Sequence, residues 1–336
     1  MATREPICVV ADCFRQWYAN RAGSETMSLR VTFLGTGGAV PTTERAPSAV
    51  LVNREGDRLL FDCGEGTQRQ MMRFSTGFTV SHLFVSHLHG DHVLGIPGLI
   101  QTWDFNDRDE ALAIHTPPGT RKQIESLVYA AGHEPSYPVR INEVSPGNVA
   151  LSGDSYEIRA FQTAHRTVSQ GYVLTEDERP GKFDRPKAED ELGIPPGPKY
   201  GRLHAGESIE LDTGEVIHPR QVVGEPRPGR KLVYTGDTRP QDRTVDAASD
   251  ADLLIHDATF AEGMTERAQR TAHSTATQAA AIADRAGVRR LALTHVSSRY
   301  AGDASTLLTE ARQEFSGDCV LPDDGTDLTI QYRDTE

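Results

Sequence analysis

The sequence predicts an α/β sandwich, and three observations predict it. Short apolar runs alternate with helix-forming segments, as at 231–234, 251–256, 278–286 and 290–293. The strand-like runs fall into two β-rich halves, which suits two sheets. Several of these runs end in a histidine or aspartate, so donors from separate strand ends can converge at one edge of a sandwich. With 336 residues, 37% of them hydrophobic, the chain is long enough for one large domain or two modest ones with a real core.

In chain order, residues 1–26 lack alternation and turn-bounded strands. The expectation is that the chain proper starts at Met27 or that 1–26 is a loosely attached extension, the alternative being a short helix near 12–20 packed on the body. A strand at 29–34 follows and runs into Gly35-Thr36-Gly37-Gly38. This loop lacks the G-x-G-x-x-G spacing, and Pro41 and Pro47 oppose a phosphate-cradling helix, so a tight turn near the active face is expected. Residues 48–52 and 58–61 read as a hairpin around 53–57. Asp62 then precedes a glycine turn, where it either supports a ligating histidine from behind or caps a helix. Further on, 114–116 reads as a strand, 120–131 as a helix, and 156–163 and 171–174 as strands. Ser274 or Thr275 caps the alanine-rich helix, and Gly287 stops it.

The densest chemical signal is Ser86-His87-Leu88-His89-Gly90-Asp91-His92, directly after the apolar run 82–85. His87, His89, Asp91 and His92 put four metal-capable side chains within six residues at a strand end. Mixed imidazole and carboxylate donors suit a catalytic site for a zinc-like metal better than a closed structural one.

The formal net charge is −13. Only five of the 35 basic residues are lysines, a balance that fits a protein adapted to high salt or a GC-rich genome. An acidic chain repels nucleic acid unless its cations are concentrated locally. The segment 179–202 supplies such a concentration: Arg179, Lys182, Arg185, Lys187, Lys199 and Arg202 stand against four acids in a Pro/Gly-rich stretch that reads as too irregular for core structure. It is expected to be a protruding arm that grips a polyanion, or else a solvated connector. Cys8, Cys13, Cys63 and Cys319 are scattered, without a Cys-x-x-Cys pair. Together with the lack of a signal peptide or a membrane-length apolar run, this points to a reducing cytoplasm and no membrane partner.

His165, Asp237 and His295 each follow an apolar run, and each alone has an ordinary explanation as a loop or turn residue. With the metal loop they make seven donors, enough for two metals. His87, His89 and His165 would hold one, Asp91, His92 and His295 the other, and Asp237 would bridge. Two metals about 3.5–4 Å apart lower the pKa of a bridging water and clamp both oxygens of a phosphoryl displacement. Asp91 can then take a proton from the attacking water. His273, partnered by Asp257, can protonate the leaving oxygen, and Arg299 can bind a phosphate oxygen.

The spacing His-x-His-x-Asp-His resembles the signature of the metallo-β-lactamase superfamily. The ordered set FLGTGGAVPT, FDCGEGTQ, SHLHGDH, GDT, HDATF, AHST and THVSSRY, running from about residue 29 to about 300, resembles the ribonuclease Z family, which trims the 3′ trailer of precursor tRNA. The resemblance implies a four-layer αββα sandwich over 27–336 with an inserted arm at 179–202. It implies two zinc ions per subunit on the seven donors, with Asp91 as proton acceptor. It implies that the arm clasps tRNA, here through Lys182, Lys187, Lys199 and Arg202, and that a homodimer lends the arm of one subunit to the active site of the other. Cleavage would follow the discriminator nucleotide and leave a tRNA 3′-hydroxyl. One position departs: the family usually has His-Glu-Ala-Thr where this chain has His256-Asp257-Ala258-Thr259, and the shorter acid puts its reach to His273 in question. A different hydrolase of the same fold, a phosphodiesterase or thioesterase, would share the metal loop but has no reason to carry a basic arm. A β-CASP nuclease needs a larger insertion, and a metal-free RNA-binding scaffold needs lost ligands, none of which is missing.

Overall fold

The computed structural model describes residues 28–333, so both readings of the first 26 residues, and Cys8 and Cys13, lie outside the described residues. The chain divides into two compact units. The first takes the described residues up to Glu143 together with 295–302 and 322–331; the second takes 144–294, 303–321 and the described residues from Tyr332. In chain order the first unit supplies β1 (Leu29–Gly35), β2 (Gly37–Gly38), β3 (Ala49–Arg54), β4 (Asp57–Phe61), β5 (His82–Phe84), β6 (Leu112–Thr116) and β7 (Val139–Glu143). The second supplies β8 (Val149–Gly153), β9 (Tyr156–Gln162), β10 (Gln170–Glu176), β11 (Ile209–Glu210), β12 (Val216–Ile217), β13 (Lys231–Tyr234), β14 (Leu253–Asp257) and β15 (Arg290–Thr294). Then β16 (Val296–Ser297) and β18 (Asp327–Thr329) belong to the first unit, and β17 (Asp318–Val320) to the second.

Each unit is built on one seven-stranded sheet with helices, so the mixed α/β class holds in both. In the first the order is β18-β1-β3-β4-β5-β6-β7. The hairpin of β3 and β4 closes over Glu55 and Gly56, whose φ values of 53° and 106° give the two-residue turn that matches strand twist. From β4 to β7 the strands run parallel, and each crossover carries a helix: Thr67–Arg73, Ile96–Phe105 and Arg121–Val128. Those helices bury Met71, Ile96, Leu99, Ile100, Trp103, Ile124 and Val128 against Leu51, Leu60, Leu83 and Ile114 of the sheet. Each such side chain contributes about 1.5–3 kcal/mol by leaving water.

The second sheet has the order β17-β15-β14-β13-β10-β9-β8, with β13, β14, β15 and β17 parallel. Helix Ala276–Ala286 carries the apolar stripe Ala276, Ala279, Ala280, Ala283 and Ala286 at helical spacing, all buried. Thr275, not Ser274, caps it: its Oγ1 accepts the Gln278 amide at 3.2 Å, and the Gln278 side chain accepts the Thr275 amide at 3.0 Å. In both units the carboxyl ends of parallel strands lead straight into the predicted donors. β5 precedes the metal loop, β13 precedes Asp237, β14 ends on Asp257 and β15 precedes His295.

The connection from β10 to β13 corrects one expectation. The excursion does not close at Arg202 and is not irregular. Arg179 and Arg227 exchange backbone hydrogen bonds of 2.7 and 2.8 Å, and Phe183 pairs with Val223. Between them lie a π-helical turn Lys187–Glu191, helix Pro198–His204 and the ribbon of β11 and β12. Ala188, Ile194, Leu203, Ile209, Ile217 and Val222 form a small core of their own. These residues follow no single period in sequence, because π-turn, helix and ribbon contribute in turn. At the root, buried Arg230 binds Glu176 through two 2.7 Å bonds, and the Tyr332 ring stands 3.5 Å from the Arg179 guanidinium and 4.0 Å from that of Arg230. Removing either half of the buried pair would strand the other, at a cost of about 3–5 kcal/mol.

Candidate metal centre and catalytic residues

In the first unit the metal loop is fixed from beneath by Asp62, which is fully buried. Its Oδ1 accepts the Ser86 amide at 2.7 Å, and its Oδ2 accepts both the Ser86 hydroxyl and the His92 ring at 2.7 Å. Asp62 therefore holds the His92 ring and does not cap a helix; the next helix begins at Thr67 behind Gly66. The directions of these bonds assign the tautomers. A carboxylate only accepts, so His92 carries its proton on Nδ1 and turns the Nε2 lone pair outward. Ser86 gives its proton to Asp62, so the 3.0 Å contact from His87 Nδ1 makes that nitrogen the donor, and His87 Nε2 is left as a ligand atom. His87 Nε2 and His89 Nδ1 converge to 3.0 Å.

The second donor group of this unit comes together from distant sequence. Ligand atoms of Asp91, His92 and His295 lie within 4.8 Å of one another. Asp91 Oδ2 stands 3.1 Å from His295 Nε2 and accepts the Ala39 amide at 2.7 Å. The glycine loop was expected to be a tight turn, but Gly37–Gly38 form a short strand, β2, followed by a bend. Its β2 pairs with β16, which starts immediately after His295. His295 itself holds a left-handed backbone (φ 61°), a conformation that costs a non-glycine residue roughly 1–3 kcal/mol and is kept where surroundings impose it. Gly38 leaves room for its ring: a Cβ there would lie 2.5 Å from His295 Nδ1.

In the second unit, His165 donates from Nδ1 to the Ala272 carbonyl at 2.8 Å, which turns Nε2 toward Asp237 Oδ2, 3.8 Å away. Asp257 Oδ2 accepts from His273 Nδ1 at 2.8 Å and from the Thr238 amide at 3.1 Å. Its Oδ1 accepts the Thr259 amide at 2.9 Å and the Thr259 hydroxyl at 2.6 Å. Four donors fill a carboxylate's acceptor sites. Asp257 thus orients His273 rather than serving a metal, and the shorter acid does reach its histidine. With Nδ1 tied, His273 can gain and release a proton at Nε2.

The first unit thus brings Asp91, His92 and His295 together as nitrogen and oxygen donors, and the second faces His165 Nε2 toward Asp237, a mix of donors that suits zinc-class divalent metals. Arg299 is exposed, and among the described residues its guanidinium reaches the Ser297 hydroxyl alone, at 3.4 Å, which leaves it open to an anion. Two of the four cations assigned to the arm are already engaged. Lys199 stands 3.9 Å from Asp212, and Arg202 lies 2.9 Å from Glu207. Lys182 and Lys187 form no ion pair among the described residues. Sequence reasoning missed Ser86 and the Ala39 amide. Ser86 could have been suspected from its place beside His87; nothing local marks Ala39.

Comparisons with known proteins follow the same lines. A family model described as anti-Pycsar protein Apyc1 matches residues 29–175, and one described as a beta-lactamase superfamily domain matches 220–296. The chain is 67% identical over 310 residues to a ribonuclease Z of Halorubrum lacusprofundi, an alignment covering 92% of this chain and 100% of that protein. It is 64% identical to a ribonuclease Z of Haloferax volcanii, covering 92% and 98%. Among solved structures it is similar to the short form of human tRNase Z, with TM-score 0.65 and 26% identity over 90% of this chain and 99% of that one. A metallo-β-lactamase fold protein from Bacillus subtilis, at TM-score 0.66 and 20% identity over 90% and 99%, shares the fold.

Proposed function

Since the chain belongs to the ribonuclease Z family, and is with it a metal-dependent endoribonuclease of metallo-β-lactamase fold, we propose that it removes the 3′ trailer of precursor tRNA by hydrolysis after the discriminator nucleotide, leaving a tRNA 3′-hydroxyl. The observation that carries this reading is the 67% identity along the whole of a ribonuclease Z. The preoriented donors of each unit support the chemistry.

The metal is zinc, two ions per subunit, held by His87, His89, Asp91, His92, His165, Asp237 and His295. Bound there, zinc supplies Lewis acidity and lowers the pKa of water. Asp91, its carboxylate oriented by the Ala39 amide, takes the proton of the attacking water. His273, held by Asp257, delivers a proton from Nε2 to the leaving oxygen. Arg299 grips a phosphate oxygen, and the excursion from Arg179 holds the body of the tRNA through Lys182, Lys187, Lys199 and Arg202. The working form is a cytoplasmic homodimer in which the arm of one subunit serves its partner. The composition supports a requirement for high salt.

Incubating one precursor tRNA carrying a 3′ trailer with the protein across a salt series, with and without a chelator, tests the proposal. A single chelator-sensitive cut at the discriminator, with a 3′-hydroxyl on the tRNA, is expected. Intact precursor at every salt concentration, with zinc bound, would contradict it and favour a small-molecule hydrolase of the same fold.

A further inference from the structure

The excursion carries a groove that the charge argument for the arm does not use. Over its whole length, 179–227, the segment holds eight basic and nine acidic residues, because Glu207, Glu210, Asp212, Glu215 and Glu225 offset the basic first half. Its net charge gives it no general attraction to a polyanion. At molar salt the screening length falls to about 3 Å, so even its local cations act only in contact. A grip that survives such conditions needs a term independent of charge.

The groove offers one. It is shallow, about 250 Å³, and lined by Phe183, Arg185, Tyr200, Gly201 and His204. That is below the roughly 300–1,000 Å³ of sites for drug-sized ligands and suits a single flat ring. Phe183 and Tyr200 stand with ring centroids 4.6 Å apart at 38°, and His204 meets Phe183 edge-on at 6.3 Å. The rings are held in place. Tyr200 Oη is bonded to the Ile194 carbonyl at 2.9 Å and to Glu189 at 3.1 Å, and His204 Nε2 is 3.0 Å from the Gly181 carbonyl. Phe183 and Tyr200 also pack on the small core beneath. Arg185 is exposed at the groove and forms no ion pair among the described residues.

From this juxtaposition we infer that the groove is a nucleobase subsite: Phe183 and Tyr200 stack on one unpaired base of the RNA substrate, and Arg185 binds the adjoining phosphate. Aromatic platforms take any base, because each has a π-face, and a neighbouring guanidinium adds a phosphate contact. The inference rests on the reading that this excursion binds RNA.

The test measures binding of one precursor tRNA transcript by the full chain across a salt series. The variants are Phe183→Leu, Tyr200→Leu, Tyr200→Phe and Arg185→Gln, beside a chain in which 181–225 is replaced by a short Gly/Ser turn. Leucine keeps the apolar packing and removes the stacking face. Each leucine variant should bind about 10-fold more weakly at every salt concentration, with an unchanged slope of log K against log salt. Arg185→Gln should flatten that slope by about one, and Tyr200→Phe should bind as the parent does. Leucine variants that bind like the parent, while the 181–225 replacement binds weakly, would overturn the groove alone. A replacement that also binds like the parent would overturn the RNA-binding role of the excursion and the groove with it. Equal losses in Tyr200→Phe and Tyr200→Leu would assign the effect to the hydroxyl and overturn stacking.

Discussion

The metal loop 86–92 and the excursion 179–227 are built on opposite principles. In the loop, donors are crowded into seven residues and anchored from beneath. His87 and His92 are fully buried, and one buried carboxylate, Asp62, sets the tautomer of both, directly for His92 and through Ser86 for His87. In the excursion, nearly fifty residues share a core of six buried side chains, and most of its charged side chains are exposed. Chemistry needs lone pairs fixed in direction, and a buried second layer provides that. The excursion instead carries a small core of its own, separate from that of the sheets, and in the proposed reading it grips the substrate from there. The two regions should therefore fail separately.

The largest expected effect belongs to the loop. Asp91→Ala should lower cleavage of a trailer-bearing tRNA by about 10³-fold or more while leaving tRNA binding nearly intact, as single-turnover kinetics and a binding titration would report. Equal loss of both would remove Asp91 from its assigned role. Asp257→Glu sharpens the contrast. It restores the residue usual in the family, yet all four acceptor sites of Asp257 are filled at the present length. Displacing His273 by about 1 Å should cost about 100-fold in turnover with KM little changed. Asp62→Ala should weaken zinc binding by about 10- to 100-fold in a competition titration, with cleavage recovering at excess zinc.

Replacing 181–225 by a short turn should raise KM for precursor tRNA and leave hydrolysis of a small phosphodiester unchanged. Loss of the small-substrate activity would show that the excursion supports the catalytic body. The smallest effect is on stability. His82 and His115 lie 3.0 Å apart between neighbouring parallel strands, and burial, aided by His82, pushes His115 down to about 3. Burial also lowers His82, against the pull of Asp57. The unfolded chain therefore binds protons that the folded one refuses. Stability should fall as pH drops from about 6.5 toward 3, by up to about 1.4 kcal/mol per pH unit for His115. Urea unfolding of His115→Phe should have a flatter pH dependence over that window.

What could be read from the sequence follows the same division. The candidate loop donors stand out because they sit within six residues, and His165, Asp237 and His295 because each follows an apolar run. Hairpin, capped helix and parallel strands were legible from local periodicity. Asp62 stayed ambiguous because its partner, His92, lies 30 positions away. Ala39 was invisible because it acts through its backbone amide. The excursion was found by composition, yet its far boundary is set by the pairing of Arg179 with Arg227, across a span no local signal bridges. Burial raises the Cys63 thiol to about 12, well above the range where it would react, and nothing in its local sequence signals that burial.

Metal stoichiometry is the most direct test of the proposal that the chain holds two zinc ions on its histidine and aspartate donors. Elemental analysis of the purified chain after zinc loading should give two zinc ions per chain, and Asp237→Ala and His92→Ala should each hold fewer. One zinc in the parent chain, or two retained in both variants, would contradict it.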